Sequence, residues 1–556
     1  MALTSAARLG TVNRRNIQNR KPKVPPLLAT LVFAIGIAGL FYLESPWHLR
    51  CASSGSLSLY RHDSEDASKA LWLPVIWLLI NGSRSVSAWL GMGPPPREPV
   101  DQLPATDLLD QLFAGTLMVL GAIILIRRRR DVGRLLKASW PIVLYFSYCL
   151  FSLLWSDFPL WGFKRWVRGL GDLVMVLIVA TDAQPTAALR RLLSRIGFVL
   201  LPVSVLLIKY YPKLGQAIGV WGDRVCTGVT TDKNTLGGLV CLVALGALWQ
   251  ALSLVRDSKE PNRARRLLAQ CTLLAFGVQL LFAAQSATSG ACFILGAGLI
   301  FATSLPLIRR RPAAVHALVL TILLGGALTE LLGGRAAVTA AMGRDADLTG
   351  RTNIWGIVIP MVNPIGGAGF ETFWLGPRVA RVFAMIAGGR ALAAANEAHN
   401  GYIEVYLNLG CLGLVLIALV LGHGYGRSVS AFSRDSTLGA LLIAYVVTAA
   451  FFNITEADFR ILSVEWFFLL LSLLAASRAT GVAKRARRNH LSLTQALWRS
   501  ESPSPSEKQA IRGKGQGRVA GIVATSAASQ MHPREHHSTI RAMSGPSLNK
   551  FFRWRT

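Results

Sequence analysis

Residues 235–255 read TLGGLVCLVALGALWQALSLV, twenty-one positions without a charge, bounded by Lys233 and Arg256. About twenty apolar residues are what an α-helix needs to cross the hydrocarbon core of a bilayer. The pattern recurs along the chain. Predominantly apolar runs, some with a few charges, lie at 27–43, 111–126, 139–156, 164–180, 192–209, 267–285, 287–305, 313–333, 401–425, 437–455 and 461–476. A further apolar stretch, 70–90, is interrupted by Pro74 and by Asn81-Gly82-Ser83-Arg84. The pattern predicts an all-α polytopic integral membrane protein with about twelve transmembrane helices.

Composition agrees with that class. Of 556 residues, 52% are hydrophobic and only 16% charged, yet 59 Lys and Arg face 29 Asp and Glu, a net charge of +30. A soluble domain carries about 25% charged residues. In a nucleic-acid binder the basic residues interleave with polar surface; here they fall between apolar runs, so no nucleic-acid partner is expected. The seven cysteines are scattered, mostly in apolar runs, without CxxC or Cys/His spacing. They predict neither a disulfide framework nor a zinc site. No GxxxxGK[ST] phosphate loop marks an ATP-driven motor.

Charge sets the expected orientation. Arg127–Arg130, the group Arg190, Arg191 and Arg195, the 256–266 connection, Arg309–Arg311 and Lys484–Arg488 are short and basic. With twelve spans, all of them fall on the cytoplasmic side and satisfy the positive-inside rule. Counting 70–90 as a span would break that parity, so it reads as re-entrant or interfacial, with Trp72, Trp77 and Trp89 suited to an interface. The first span follows a basic stretch but lacks a small-residue cleavage site before Glu44-Ser45-Pro46, so it reads as an uncleaved anchor. The expected organisation is a basic cytoplasmic amino terminus (1–26) and a first span with an outer apolar segment (27–110). A membrane domain (111–476) and a basic, disordered cytoplasmic tail (477–556) follow. Within the membrane domain one long outer loop, 334–400, precedes the 401–425 span; loops of that length are usually functional or disordered. Its Trp355, Phe370, Phe373 and Trp374 predict short helices against the membrane.

Polar residues gather at the outer ends of the spans. His399-Asn400 stands at the mouth of the 401–425 helix, and a histidine there is either a local cap or a general base with a pKa near working pH. Eleven positions on, Gly410 lies about 20° from His399 around the helix, and Gly413 falls on the same stripe, where a neighbouring helix can approach closely. Glu404 points about 140° away and is placed to pair with Asn400 at i+4. Arg351, Arg224, Arg165 and Arg168 are the candidate anion-binding arginines, since the guanidinium fork grips phosphate bidentately. The competing reading pairs Arg168 with Asp172 at i+4 and Arg224 with Asp223. Glu456 and Asp458 form an i+2 carboxylate pair suited to capping or ion pairing.

His399-Asn400, nine residues, then Gly410-Cys411-Leu412-Gly413 resembles the H-N-x9-G-x-x-G signature of the bacterial O-antigen ligase and polysaccharide polymerase superfamily. Gly350-Arg351 with Trp355 resembles its G-R-x3-W element, and Lys233-Asn234 with Leu236-Gly237 its H-K-N-x-L-G element, with Asp232 where that element often carries His. The resemblance covers roughly residues 110–476.

It implies an inverting glycosyltransferase that moves a glycan from undecaprenyl diphosphate to an acceptor hydroxyl. The reaction would lie on the periplasmic face of the bacterial inner membrane, which makes 334–400 a periplasmic loop. The acceptor would be lipid A-core in a ligase or a second lipid-linked glycan in a polymerase, with membrane lipid around the polyprenyl chain. No cofactor, nucleotide or metal is implied. His399 would be the base. Arg351, Arg224 and Arg165 or Arg168 would hold the diphosphate, with Lys233, Asn234, Asn400 and Glu404 also in the site. Gly350, Trp355, Gly410 and Gly413 would be structural. A flippase or transporter of lipid-linked glycans is the alternative; it favours mid-membrane ionisable residues, of which Asp172 is the main acid here.

Overall fold

Each expected span contains a helix in the computed structural model, which describes residues 24–45, 47–51, 57–61, 68–92, 107–219, 223–257, 260, 262–331, 351–385 and 397–481. The basic amino terminus before 24, Gly350 with the rest of 332–350, and the tail beyond 481 lie outside the described residues. In chain order the main helices begin with α1 (Pro26–Glu44), α2 (Trp72–Asn81), α3 (Leu108–Arg127), α4 (Arg129–Ala138), α5 (Trp140–Phe151) and α6 (Pro159–Ala180). They continue with α7 (Pro185–Tyr210), α8 (Lys233–Arg256), α9 (Arg263–Ala284), α10 (Ala287–Ser304) and α11 (Pro312–Leu331). The last five are α12 (Arg351–Val358), α13 (Pro377–Met385), α14 (Gly401–Phe432), α15 (Ser436–Thr455) and α16 (Val464–Gly481). Two small antiparallel hairpins, β1 (Trp47–Cys51) with β2 (Leu57–Arg61) and β3 (Gln216–Ile218) with β4 (Arg224–Cys226), complete the set.

Among the described residues nine helices are long and apolar enough to cross a membrane, or ten if one bent pair counts as a span. The chain is an all-α polytopic membrane protein. The bent pair is α4 with the segment Trp140–Trp155, which meet at 88°. The break falls at Ser139, with φ −114° and ψ 39°, just before Pro141, whose ring cannot continue a helix through that position. Two more expected spans, α6 with 22 residues and α11 with 20, are helical. The first of these carries Lys164, Arg165, Arg168 and Asp172 along its length.

The interior is built on α7, α8, α15 and α16, whose apolar windows are 72%, 78%, 78% and 83% buried, whereas α1 and α3 bury 11% and 17% of theirs. An apolar helix that leaves most of its surface uncovered is a lipid-facing helix, because hydrocarbon replaces the protein neighbour. Tyr445 of α15 fixes one inner contact, donating to the Leu242 carbonyl of α8 at 2.9 Å.

Helix α2 has ten residues, about 15 Å of rise, half of what a crossing needs. It is held from inside. Trp77, expected at an interface, is 3% exposed and donates its indole N–H to Asp172 Oδ1 at 2.8 Å, while the Leu462 amide donates to Asp172 Oδ2 at 3.0 Å. A buried carboxylate needs such donors. Asp172 therefore joins α2, α6 and the start of α16, and does not pair with Arg168. Trp72 and Trp89 are exposed, as an interface position requires.

Candidate active site

The long loop before α14 folds back onto that helix. Ile354, Val358, Phe373, Val382 and Leu407 form a small apolar core separate from the main one. Arg351 and Trp355 stand one turn apart on α12, so both project from the same face. Trp355 donates its indole N–H to the Ala398 carbonyl at 2.8 Å, and Arg351 hydrogen-bonds the Thr455 carbonyl at the end of α15. Trp355 thus holds the residue before His399, and Arg351 holds the end of α15 that packs against it.

Asn400 begins α14 as its cap. Its Oδ1 accepts from the amides of Tyr402 and Ile403 at 3.0 and 3.1 Å, and its Nδ2 donates to the Ile454 carbonyl at 2.9 Å. The expected Asn400–Glu404 pair does not form. Glu404 instead accepts from Trp374 Nε1 at 2.9 Å and from the Ala398 amide at 2.6 Å. The Gly401 amide donates to the Glu456 carbonyl at 2.8 Å. A Cβ at Gly401 would lie 1.9 Å from Asn453 Oδ1, so only glycine allows α14 to start against α15.

Gly410 works differently from a glycine that admits a neighbouring helix. With φ 65° and ψ −164° it breaks α14 in a conformation reserved for glycine, and its missing Cβ makes room for the Ile365 carbonyl. The backbone groups freed by the break are taken up by the loop. Cys411 N donates to Pro364 O at 2.8 Å, and Ala368 N and Gly369 N donate to the carbonyls of Leu407 and Asn408 at 2.9 Å each. A bilayer offers no water for those groups, so the crossing loop and the glycine require each other. One turn on, a Cβ at Gly413 would meet Leu409 Cβ at 2.3 Å.

These contacts place His399 in a ring of charges. Its own backbone sits at φ 49°, uncommon for a residue with a side chain and typical of functional positions. Nδ1 lies 2.8 Å from Glu397 Oε1 and 3.9 Å from Glu456 Oε2. Glu397 Oε2 accepts from Arg460 Nη1 at 2.8 Å. Glu456 Oε1 lies 3.6 Å from Arg351 Nη2, and its Oε2 accepts from Asn234 Nδ2 at 3.2 Å. Burial disfavours the imidazolium, but the Glu397 and Glu456 carboxylates outweigh it and raise the His399 pKa to about 9. Burial likewise pushes Glu397 up, and His399 and Arg460 reverse that and hold it below the usual carboxylate range. Asp458 is raised well above its ordinary value by burial and by the neighbouring carboxylates.

Single atoms from Glu397, His399 and Glu456 lie within 4.8 Å of one another, a donor set that can hold a divalent cation. Arg351 and Arg460 already supply two positive charges to the same carboxylates.

The ring opens onto a cavity of about 1330 Å³. His399, Glu397, Glu404, Asn234 and Arg460 line one side, and Lys164, Arg165 and Arg168 of α6 also reach it. Arg165 hydrogen-bonds the Glu371 carbonyl; Arg168 makes no hydrogen bond and no ion pair within 4 Å among the described residues, with Asp110 the carboxylate that acts on it from farther off. Asp232 caps α8, its Oδ1 accepting from the Asn234 amide at 2.7 Å, which points the Asn234 side chain at Glu456. Lys233 is half-buried at the first position of that helix and does not line the cavity. Arg224 is exposed at the start of β4 and is not among the lining residues either. Glu397 and Arg460 were not singled out by the sequence. The E-x-H spacing was a signal for the first, while nothing local marks the second.

A family model described as O-antigen ligase matches residues 272–418, which contain Arg351, Trp355, His399, Gly410 and Gly413. Both this match and the relative below support the O-antigen ligase and polymerase superfamily for this chain. It is also similar to the exopolysaccharide production protein ExoQ of Rhizobium meliloti (strain 1021), with 26% identity over 314 residues, covering 54% of this chain and 67% of that one. A member of this superfamily is a multi-pass membrane enzyme that transfers glycans. Within its matched segment lie the imidazole and the Arg351–Trp355 clamp; Glu456, Arg460 and the α6 cations come from elsewhere in the chain.

Proposed function

We propose that this enzyme transfers a glycan from undecaprenyl diphosphate to the hydroxyl of a second lipid-linked glycan, on the periplasmic side of the inner membrane. The observation that carries the reading is a carboxylate-backed imidazole and α6 cations without a close ion pair, lining one cavity. Nδ1 of His399 faces Glu397, which leaves Nε2 for the acceptor hydroxyl. Nε2 takes the hydroxyl proton as the acceptor oxygen bonds the anomeric carbon. The bond from that carbon to the diphosphate breaks, and the lipid diphosphate departs with the electron pair. Attack opposite the leaving group inverts the anomeric centre. Glu397 and Glu456 stabilise the imidazolium that forms, and Arg165 and Arg168 meet the charge growing on the diphosphate. Arg351 acts through Glu456 as a positioning residue, and Asn400 and Trp355 hold the backbone that presents His399. The α6 cations supply charge that a metal ion would otherwise bring.

The relative's name, an exopolysaccharide production protein, favours a lipid-linked glycan over lipid A-core as acceptor. The test is turnover by purified protein given undecaprenyl-diphosphate glycan with each acceptor in turn. Elongation of the lipid-linked glycan, abolished in His399→Ala, is the expected result. Consumption only with lipid A-core makes the enzyme a ligase. Transport of intact donor across liposomes without turnover overturns the transferase reading in favour of a flippase.

A further inference from the structure

Helix α14 carries a second polar site at its other end. Arg427 lies 17 residues beyond the break at Gly410, a rise of about 26 Å, which spans most of a bilayer core. It therefore sits near the interface opposite His399. There α14, the turn after it and the end of α16 border a cavity of about 350 Å³, lined by His423, Arg427, Ser430, Arg434 and Thr480. Gly422 and Gly426 complete the lining, and a Cβ on either would meet nothing within 4 Å, so α14 presents an open slot there.

The basic side chains are fixed by neutral partners. Arg427 donates from Nη1 to Thr480 Oγ1 at 3.0 Å and from Nη2 to the Ala138 carbonyl at 3.2 Å. Arg434 donates from Nη1 to the carbonyls of Ala479, at 3.3 Å, and Thr480. His423 Nε2 lies 3.0 Å from the Ala138 carbonyl. Among the described residues no carboxylate pairs with Arg427 or Arg434. Asp131 of α4 is shared by Arg134 at 3.0 Å and Arg478 at 3.2 Å, and Asp435 caps α15. Two oriented guanidiniums thus keep their charge uncancelled beside an open slot. Toward the middle of α14, Val415 continues the Gly422–Gly426 face within about 20°, and it is 63% exposed.

We infer that this site holds the phosphate of an anionic phospholipid, with an acyl chain running along Gly426, Gly422 and Val415. Guanidinium forks match phosphate oxygens bidentately, and basic pockets between membrane helices take anionic headgroups. The glycines give the chain the close approach that a side chain would deny.

The test uses the full-length protein in detergent and native mass spectrometry with phosphatidylglycerol, phosphatidylcholine or inorganic phosphate as the probe. Phosphatidylglycerol should be retained roughly tenfold or more over phosphatidylcholine, about what two basic residues near a membrane surface contribute. The double variant Arg427→Gln/Arg434→Gln should lose that preference. Gly426→Leu fills the slot without touching either arginine and should also lower retention; it decides the matter if the double variant fails to fold. Equal retention of the two lipids by wild type overturns the proposal, as does retention by Gly426→Leu at the wild-type level. Displacement of phosphatidylglycerol by millimolar inorganic phosphate identifies a free-phosphate site instead and overturns the lipid assignment.

Discussion

The arginines around His399 and its cavity fall into two kinds. Arg351 and Arg460 each face a carboxylate, at 3.6 Å from Glu456 and 2.8 Å from Glu397. Arg165 and Arg168 form no ion pair within 4 Å among the described residues; Glu371 and Asp110 act on them only from farther off, and Arg168 has no hydrogen bond there. A paired guanidinium has spent its charge on structure: it holds Glu397 and Glu456 where they can act on His399. An unpaired one, partly buried, carries an unfavourable desolvation cost that a bound anion relieves. In the proposed reaction that difference separates positioning from substrate binding in residues of the same chemistry.

The largest expected effect belongs to the group between the two kinds. His399→Ala should lower kcat by about 10²- to 10⁴-fold, the range of general-base catalysis, with donor KM little changed. An unaltered kcat would remove the imidazole from the reaction. Arg168→Ala should raise donor KM by roughly 10- to 100-fold, the worth of a hydrogen bond to a charged group, without lowering the thermal midpoint. Arg351→Ala should do the reverse: it strands Glu456, lowers the midpoint and alters the pH profile more than KM. If both variants behave alike, the comparison fails.

A third test concerns pH. A base with a pKa of about 9 is neutral in roughly one molecule in a hundred at pH 7, so kcat should climb about tenfold per unit from pH 7 toward 9. In Glu397→Gln the main raising influence is gone, and the rising limb should move down toward the ordinary value of 6.5. A limb that stays in place would show that Glu397 does not set the titration. The same raised pKa stabilises the fold. That contribution is complete below the unfolded value and is lost as pH rises through the folded one, so the wild-type thermal midpoint should fall between pH 6.5 and 9.

The smallest effect should come from outside the cavity. Trp77→Phe leaves Asp172 short of one donor and should cost about 1–3 kcal/mol, read as a lower thermal midpoint with KM preserved.

Much of this was legible in the sequence, for identifiable reasons. Membrane helices announce themselves because the bilayer demands about twenty apolar residues per crossing, a local property of the chain. His399, Arg351 and Trp355 were legible as candidates because each stands in a short-range motif. The runs at 70–90 and 139–156 show where that reading stops. The first is anchored by Asp172, ninety-five residues from Trp77, and the second turns through 88° at Ser139. Arg224 looked equivalent to the other arginines until the β3–β4 hairpin placed it outside the cavity lining.

By itself, then, the sequence determined the class, the helical runs and the imidazole at the mouth of α14, because each depends on residues close along the chain. Tertiary structure alone decided which arginines are paired, that Gly410 admits a loop in place of a helix, and that Glu397 and Arg460 meet across sixty-three residues to hold His399. Those outcomes depend on distances between separate helices, and electrostatics inside a low-dielectric cavity follows distance in space and not position in the chain.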